Sequence, residues 1–186
     1  MKQNYTFRAM LFMAVLWLMP AAGWALETDE DGAYVIATSQ DLVSFAQTVN
    51  DGEPAAIAVL TQDIDMAGVA IDPIGTEANL FTGTFDGKGH VISNLTIERE
   101  GVDYVGLFGR VSGGAVIKDF ILRNARLSGQ AFIGIVGGSN GSGTVTLDRL
   151  GFEGEALGTA QNVSGIIGVN MSSAATFVIS NCYVTG

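Results

Sequence analysis

A short apolar element with two glycines recurs in the second half of the chain. It reads VGLFG at residues 105–109, IGIVG at 133–137 and SGIIG at 164–168, and its leading glycines lie 28 and 31 residues apart. Self-similarity at a nearly fixed spacing is typical of proteins built from stacked repeats. The pattern therefore predicts a chain assembled from similar units of about 30 residues each.

A second element alternates with the first and has the pattern of a β-strand. It reads ISNL at residues 92–95, IKDF at 117–120, LDRL at 147–150 and ISNC at 179–182, with starts 25, 30 and 32 residues apart. Apolar and polar residues alternate around it, branched and aromatic residues are frequent, and the connecting segments SGG, SNGSG and NMSS are typical turns. We expect the four copies to stack, so that one position is shared by Asn94, Asp119, Arg149 and Asn181.

These units predict an all-β fold, the parallel β-helix. None of them is long enough to bury an apolar face alone, whereas stacked copies bury a continuous core. Helical repeats of similar length exist, but the glycine density and the alternation argue against them. Residues 60–186 are expected to form the β-helix, and AAIAVLTQDIDM at 55–66 has the pattern of the first strand of its body.

The segment before the β-helix predicts a short capping helix. In TSQDLVSFAQTVNDG, residues 38–52, helical periodicity places Leu42, Phe45, Ala46 and Val49 on one face. Thr38 and Asp41 have the spacing of a capping box, and Gly52 follows the predicted end. Residues 26–59 are therefore expected to cover the first apolar coil and its strand edges.

The first 25 residues predict a secretory signal peptide. Lys2 and Arg8 precede an apolar run at residues 9–19, and small residues at 23 and 25 predict cleavage after Ala25. An uncleaved membrane anchor is the alternative, but the run is shorter than the roughly 20 residues that span a bilayer. We expect an exported chain without a stable membrane span after cleavage.

The repeats resemble the GLUG-motif family of bacterial exported proteins. The resemblance rests on GTFDGKGHVISNLTI at residues 83–97, the three glycine elements, VISNCYVTG at 178–186 and the lead-in LTQDIDMAGVAIDPIG at 60–75. It implies a right-handed parallel β-helix in secreted or surface proteins, found in adhesin-like proteins and beside the protease region of some zinc metallopeptidases that cleave immunoglobulin A. No catalytic set is implied by the resemblance.

Composition and charge narrow the classes of partner. Without Lys2 and Arg8, seven basic residues face nineteen acidic ones, a net charge of −12. Nucleic-acid binding requires the opposite balance and is not expected. Cys182 is the single cysteine, so an intramolecular disulfide is excluded and the domain must be held by core burial.

Three aspartates are candidate calcium ligands. Asp63, Asp65 and Asp72 occur in DIDMAGVAID, and strand alternation puts the first two on one side. Carboxylate oxygens are the ligands that calcium prefers. The alternative is a solvent-facing strand end, so no cofactor is expected beyond weak calcium binding.

Residues able to perform catalysis are few. His90 is the single histidine and no HExxH motif occurs, so zinc-protease chemistry is not expected in this chain. Polysaccharide lyases with a β-helix use basic residues beside acidic calcium ligands. Bases are present, but no recurring acidic cluster is evident beside them in the sequence: Lys118, Arg123, Arg126 and Arg149.

Three functions follow. We favour a non-catalytic, adhesin-like module, secreted or on the bacterial cell surface, that binds a host glycan or an extracellular protein. The alternatives are a structural stalk of a larger exported protein or protease, and a β-helix enzyme that cleaves polysaccharides. Residue 186 falls where a further half-unit is expected, so we predict end-to-end contact with further repeats or another domain of a longer protein. The alternative is an edge covered by a partner or by a membrane surface.

Overall fold

The computed structural model describes residues 26–186, and the predicted signal peptide at residues 1–25 lies outside them. Within these described residues, one helix and twelve strands follow one another. In order they are β1 Tyr34–Ile36, α1 Ser39–Asn50, β2 Ile57–Leu60, β3 Ile64–Asp65, β4 Thr84–Ser93, β5 Thr96–Glu98, β6 Phe108–Val111, β7 Val116–Gly129, β8 Val136–Ser139, β9 Gly143–Gly158, β10 Ile167–Asn170, β11 Ala175–Ser180 and β12 Tyr183–Thr185.

The strands form two sheets that wind around a common core. The larger sheet has nine strands in the order β1-β2-β4-β7-β9-β11, with β3 beside β4, β5 beside β7 and β12 beside β9. The smaller sheet has the order β10-β8-β6. Every pairing between these named strands is parallel, which confirms the predicted parallel β-helix. Phe108, Val136 and Ile167 pair in sequence, so the three glycine elements stack as predicted.

Aromatic rings fill the core at the end nearest the helix. Phe85 lies at the centre of this cluster, with its ring centroid 5.3 Å from that of Phe108, 5.5 Å from Phe120 and 6.0 Å from Phe45. All four side chains are almost completely buried. Edge-to-face and tilted pairs at these separations are favourable beyond their burial alone. The helix is thereby joined to the first coils of the β-helix.

Helix α1 covers the first coil as the sequence predicted. Its buried residues are the four expected ones, Leu42, Phe45, Ala46 and Val49. The Thr38 hydroxyl accepts from the Asp41 amide, and the Asp41 carboxylate accepts from the Thr38 amide, which completes the capping box. Gly52, with φ of +129°, follows the helix in a conformation that glycine adopts readily.

The register of the first strand element differs from the sequence alignment. Ile92 pairs with Leu122, thirty residues on, and not with Ile117, whose partner is Phe85. The predicted match of ISNL with IKDF was therefore wrong. The cause is a bulge in β4: Asp86 pairs with Lys118 and His90 with Phe120, so four steps along β4 oppose two along β7. Glycines within DGKG conceal the alternation that would have shown the true register.

Because of the bulge, the four residues that were predicted to share one position lie at two different corners of the β-helix. Asn94 and Asn124 form one row, with φ of 57° and 51°. Asp119, Arg149 and Asn181 form the other, with φ of 62°, 52° and 54°. All five residues have a left-handed backbone conformation, which asparagine and aspartate tolerate better than most residues. The predicted single row of four is therefore two rows at different corners.

In the last coil, side chains at core-facing positions are partly exposed. Val184 pairs with Phe152, which is 1% exposed, yet Val184 is 52% exposed. Ile179 pairs with the fully buried Leu147, yet it is 47% exposed. Cys182 is half-buried against the core. Within residues 26–186, no helix combines the length and apolar character needed to cross a bilayer.

Candidate ligand-binding cleft

A cleft of about 390 Å³ opens where the C-terminal end of α1 meets the loops that precede β6. Its volume lies in the range of about 300–1,000 Å³ that is usual for small-molecule sites. Polar side chains from three parts of the chain line it, together with one exposed valine: Asn50, Asp72, Arg99, Tyr104, Arg110 and Val102. The cleft therefore combines donors, acceptors and an apolar patch.

Asn50 fixes one wall of the cleft. Its Nδ2 donates to the Pro73 carbonyl at 3.0 Å, and its Oδ1 accepts from the Gly75 amide at 2.9 Å. Asn79 Nδ2 donates to the Asn50 carbonyl at 2.7 Å. Gly75 has φ of +85°, and a Cβ at this position would lie 2.2 Å from the Arg110 carbonyl oxygen. The loop is thus tied to the helix on one side and to β6 on the other.

Tyr104 and Arg110 form a stacked pair in the opposite wall. The guanidinium carbon of Arg110 lies 3.8 Å from the centroid of the Tyr104 ring, a cation–π geometry. The Tyr104 ring also packs on Phe132, with centroids 4.8 Å apart. Arg110 is held further by Glu77, whose Oε2 lies 3.6 Å from its Nη2, and its side chain is only 19% exposed. The guanidinium is therefore fixed in direction before any ligand arrives.

The backbone at this wall is strained. Tyr104 has φ of 62° and Phe132 has φ of 59°. A left-handed conformation costs a residue other than glycine about 1–2 kcal/mol, and bulky side chains rarely adopt it. Asn162, at the same corner of the following coil, has φ of 60°, so the left-handed backbone recurs with the repeat. The feature particular to this wall is therefore the Tyr104–Arg110 stack.

The ion pair between Asp72 and Arg99 joins the cleft to a neighbour. Arg99 Nη2 contacts Asp72 Oδ1, and the two side chains remain 37% and 71% exposed. The same two residues line a second cleft of about 150 Å³, which also borders Gln47 and Val43 of α1. The two clefts thus meet at this ion pair, and we call them together the arginine groove.

The three predicted calcium ligands lie in different surroundings. Asp63 accepts a hydrogen bond from the Val91 amide at 3.0 Å and lies 3.2 Å from His90 Nδ1. The hydrogen bond from Val91 and the contact with His90 lower the pKa of Asp63. Asp65 accepts from Asn94 Nδ2 at 2.8 Å and from a backbone amide, and its pKa is also lowered. Asp72 lies in the arginine groove. Across residues 26–186 no three histidine, cysteine or acidic side chains are grouped to hold a metal ion, and calcium binding stays a prediction.

The basic residues considered for polysaccharide cleavage are all paired with acids. Lys118 Nζ lies 3.0 Å from Asp86 Oδ2, and Arg149 Nη2 donates to Asp119 Oδ2 at 2.7 Å. Arg123 and Arg126 donate to Glu153 and Glu98, each at 2.7 Å. These acids come from neighbouring coils and are distant in sequence, so the individual ion pairs could not be predicted from the residues beside each base.

Several of these pairs merge into a charge ladder along the β-helix. Its alternating members are Lys88, Asp86, Lys118, Asp119, Arg149, Asp148 and finally Asn181. Hydrogen bonding to Asp119 raises the pKa of Arg149, and hydrogen bonds from Ser180 and Asn181 lower the pKa of Asp148. Each charged group faces an opposite charge, so this face ties the coils together.

The sequence reasoning missed the arginine groove, although two signals of it were present. Tyr104 directly precedes VGLFG, and Phe132 directly precedes IGIVG. Two aromatic residues at equivalent places before the repeated glycine element predict a stacked pair. The second signal is TEANL at residues 76–80, a polar insertion between Ile74 and Phe81, which both bridge to β6.

Two curated proteins resemble this chain in sequence. Halomucin of Haloquadratum walsbyi is 38% identical over 122 residues, which are 59% of this chain and 1% of that protein. The "Putative Gly-rich membrane protein" of Evansella cellulosilytica is 25% identical over 130 residues, which are 68% of this chain and 15% of that protein. This chain thus spans a small part of both relatives. No family model matches it, and the resemblance to GLUG-motif proteins stays a prediction.

One solved structure has a similar fold. The crystal structure of "a putative immunoglobulin A1 protease from Bacteroides ovatus" superposes with a TM-score of 0.57 at 20% identity. The match covers 86% of this chain and 58% of that one. At this identity the likeness shows the fold alone.

Proposed function

We propose that this chain is an adhesin-like, non-catalytic β-helix module of an exported protein and that it binds an extracellular ligand through the arginine groove. The observation that carries the proposal is the Tyr104–Arg110 stack, built on a strained backbone at the wall of a cleft. The left-handed corner itself recurs at Phe132 and Asn162 in the two following coils, with φ of 59° and 60°. The asparagine at this corner shows that the backbone does not require an aromatic residue, so the tyrosine under a guanidinium is the feature particular to this wall.

An extracellular or cell-surface location is part of this proposal. The predicted signal peptide supports it. So do the similar proteins, which are named as a halomucin, a membrane protein and an immunoglobulin A1 protease. The acidic surface, with nineteen acidic and nine basic residues in the whole chain, also suits a soluble exported module.

Immobilised extracellular probes test this function. Residues 26–186 are passed over fibronectin, collagen, mucin and a printed oligosaccharide array, together with the variants Arg110→Ala and Arg126→Ala. Arg126 is the matched control, because it is a half-exposed arginine paired with Glu98 outside the groove. We expect retention on at least one probe, a loss of ten-fold or more with Arg110→Ala and no change with Arg126→Ala. Circular dichroism verifies that both variants are folded. If no probe retains the protein through Arg110, the proposed function is wrong.

A stacking module in a longer protein is the second candidate function. It rests on Ile179 and Val184, which occupy core positions but remain about half exposed. Coils of a solenoid stabilise one another through nearest-neighbour contacts. Inserting a second copy of residues 143–174 after Ala174 keeps the register, since Ala175 pairs with Gly143. We expect the melting temperature to rise with the added coil, and a fall would contradict the stacking function.

A further inference from the structure

We propose that the ligand of the arginine groove is a short, linear, neutral oligosaccharide. The inference rests on the binding function proposed above and adds the chemical class of the ligand. It depends on the mixture of donors and acceptors in the groove, on the charge balance and length of the groove, and on the neighbouring strand β6, whose backbone groups are already paired.

The polar groups of the groove match a ligand rich in hydroxyl groups. A hydroxyl group donates one hydrogen bond and accepts others, so neighbouring hydroxyls are best met by a donor beside an acceptor. The Arg99–Asp72 pair offers that arrangement, because both side chains remain partly exposed while they contact each other. Asp103 adds an exposed carboxylate at the same cleft, and Val102, 45% exposed, adds an apolar patch for the C–H face of a sugar ring.

The charge balance favours a neutral ligand. Arg99 is paired with Asp72 and Arg110 with Glu77, so neither guanidinium is an uncompensated positive charge. Asp103 leaves the groove slightly acidic. The whole chain carries a net charge of −10, which repels polyanions at long range. An acidic oligosaccharide would have to displace a carboxylate from an arginine, whereas a neutral one bonds to the pairs as they stand.

The shape of the groove favours a linear ligand of more than one sugar unit. Clefts of about 390 Å³ and 150 Å³ meet at Asp72 and Arg99, which line both. The ion pair therefore lies at the middle of the groove and not at its end. A ligand that fills the groove contacts Gln47 near α1, then the ion pair, then the wall formed by Tyr104.

An extended peptide suits the groove less well. Peptides commonly bind by adding a strand to an exposed sheet edge. β6, the strand at this wall, already pairs with β8 on one side. On its other side it is bridged to Ile74 and Phe81. The backbone groups that an added strand would need are thus engaged, and side chains are left to recognise the ligand.

The test is a titration of ¹⁵N-labelled residues 26–186 followed by amide chemical shifts. The neutral probes are maltotriose, cellotriose, mannotriose and chitotriose; the acidic probe is trigalacturonate, and an extended glycine-serine peptide represents protein ligands. We expect at least one neutral trisaccharide to shift the amides of Gln47, Gly75 and Val102. Asp72→Asn and Arg99→Gln should each weaken this binding by five-fold or more, and Arg126→Gln should leave it unchanged.

The outcomes separate this inference from the function on which it rests. Shifts of these amides by trigalacturonate or by the peptide alone would overturn the neutral oligosaccharide and leave the binding function standing. If no probe moves the groove amides, the ligand class is wrong, and Arg110-dependent retention on the immobilised probes decides the function separately. Binding that Asp72→Asn and Arg99→Gln leave intact would place the ligand outside the groove and overturn the inference as well.

Discussion

Ile117 and Ile179 occupy the same row of the β-helix, since each pairs with Leu147 from opposite sides. Ile117 is fully buried, whereas Ile179 is 47% exposed. The residue type and the position in the coil are the same in both cases. The difference arises because another coil packs on each side of Ile117 but on only one side of Ile179. Burial in this fold is therefore set by the neighbouring coils as much as by the side chain.

We predict that alanine substitution has unequal effects at these two positions. Ile117→Ala should lower the free energy of unfolding by about 2–5 kcal/mol, as is usual for a buried isoleucine. Ile179→Ala should cost less than half as much, because half of its surface already contacts water. Urea unfolding monitored by circular dichroism measures both values. Equal losses would show that the last coil is covered in solution.

The sequence was sufficient for the features that depend on local periodicity. The four buried residues of α1 follow from their helical spacing, and the row of Phe108, Val136 and Ile167 follows from the repeated glycine element. In both cases one short segment contains the whole signal. Stacking then follows because each unit lacks enough apolar partners of its own.

The register and the arginine groove depend on contacts between distant residues. The bulge after Asp86 shifts the first row, and the glycines around Lys88 remove the side chains whose alternation would show it. The pair between Asp72 and Arg99 joins residues 27 positions apart, outside any repeated element. Local pattern gives no information about such a contact, which exists because two successive coils place their loops side by side.

Asp86 should make the stability of the fold depend on pH in the acidic range. Burial by itself raises the pKa of this carboxyl, but hydrogen bonds from the Lys88 amide and from the Lys88 and Lys118 ammonium groups outweigh it, so the pKa of Asp86 is lowered. A lowered pKa in the folded state stabilises the fold above the unfolded pKa of about 3.9. That contribution is lost as the pH falls through the folded pKa.

The variant Asp86→Asn isolates this effect. The difference in unfolding free energy between the native chain and the variant should be constant from about pH 5 to 7, well above the unfolded pKa. It should shrink as the pH falls below about 4. Asp103→Asn is the control, since Asp103 is exposed in a loop. A difference that stays constant down to pH 2 would contradict the role of the charged carboxylate.

The Asn94 corner should tolerate glycine better than alanine. Asn94 donates from Nδ2 to Asp65 and accepts from Asn124 Nδ2 at 2.6 Å, so it links three successive coils. Its φ is 57°. Asn94→Ala should cost about 1–2 kcal/mol from the left-handed backbone, whereas Asn94→Gly relieves the backbone and loses only the exposed hydrogen bonds. Thermal unfolding ranks the stability of the two variants. A more stable alanine variant would show that the backbone conformation is not the main contribution to the loss of stability.

The closest approach between coils predicts which glycine of the repeated element tolerates substitution least. A methyl group on Gly106 would lie 2.2 Å from the Gly134 carbonyl oxygen, whereas one on Gly134 would lie 3.1 Å from its nearest neighbours at Ile166 and Ile167. Neither glycine has a positive φ, so the two variants differ in space and not in backbone strain. Gly106→Ala should cost about 3 kcal/mol or more, at the upper end of overpacking effects, and Gly134→Ala about 1 kcal/mol. Urea unfolding of both variants checks the order. A reversed order would mean that the spacing between the second and third copies of the element is tighter than between the first and second. The same glycine position in a regular repeat is therefore expected to be strictly required in one coil and replaceable in the next.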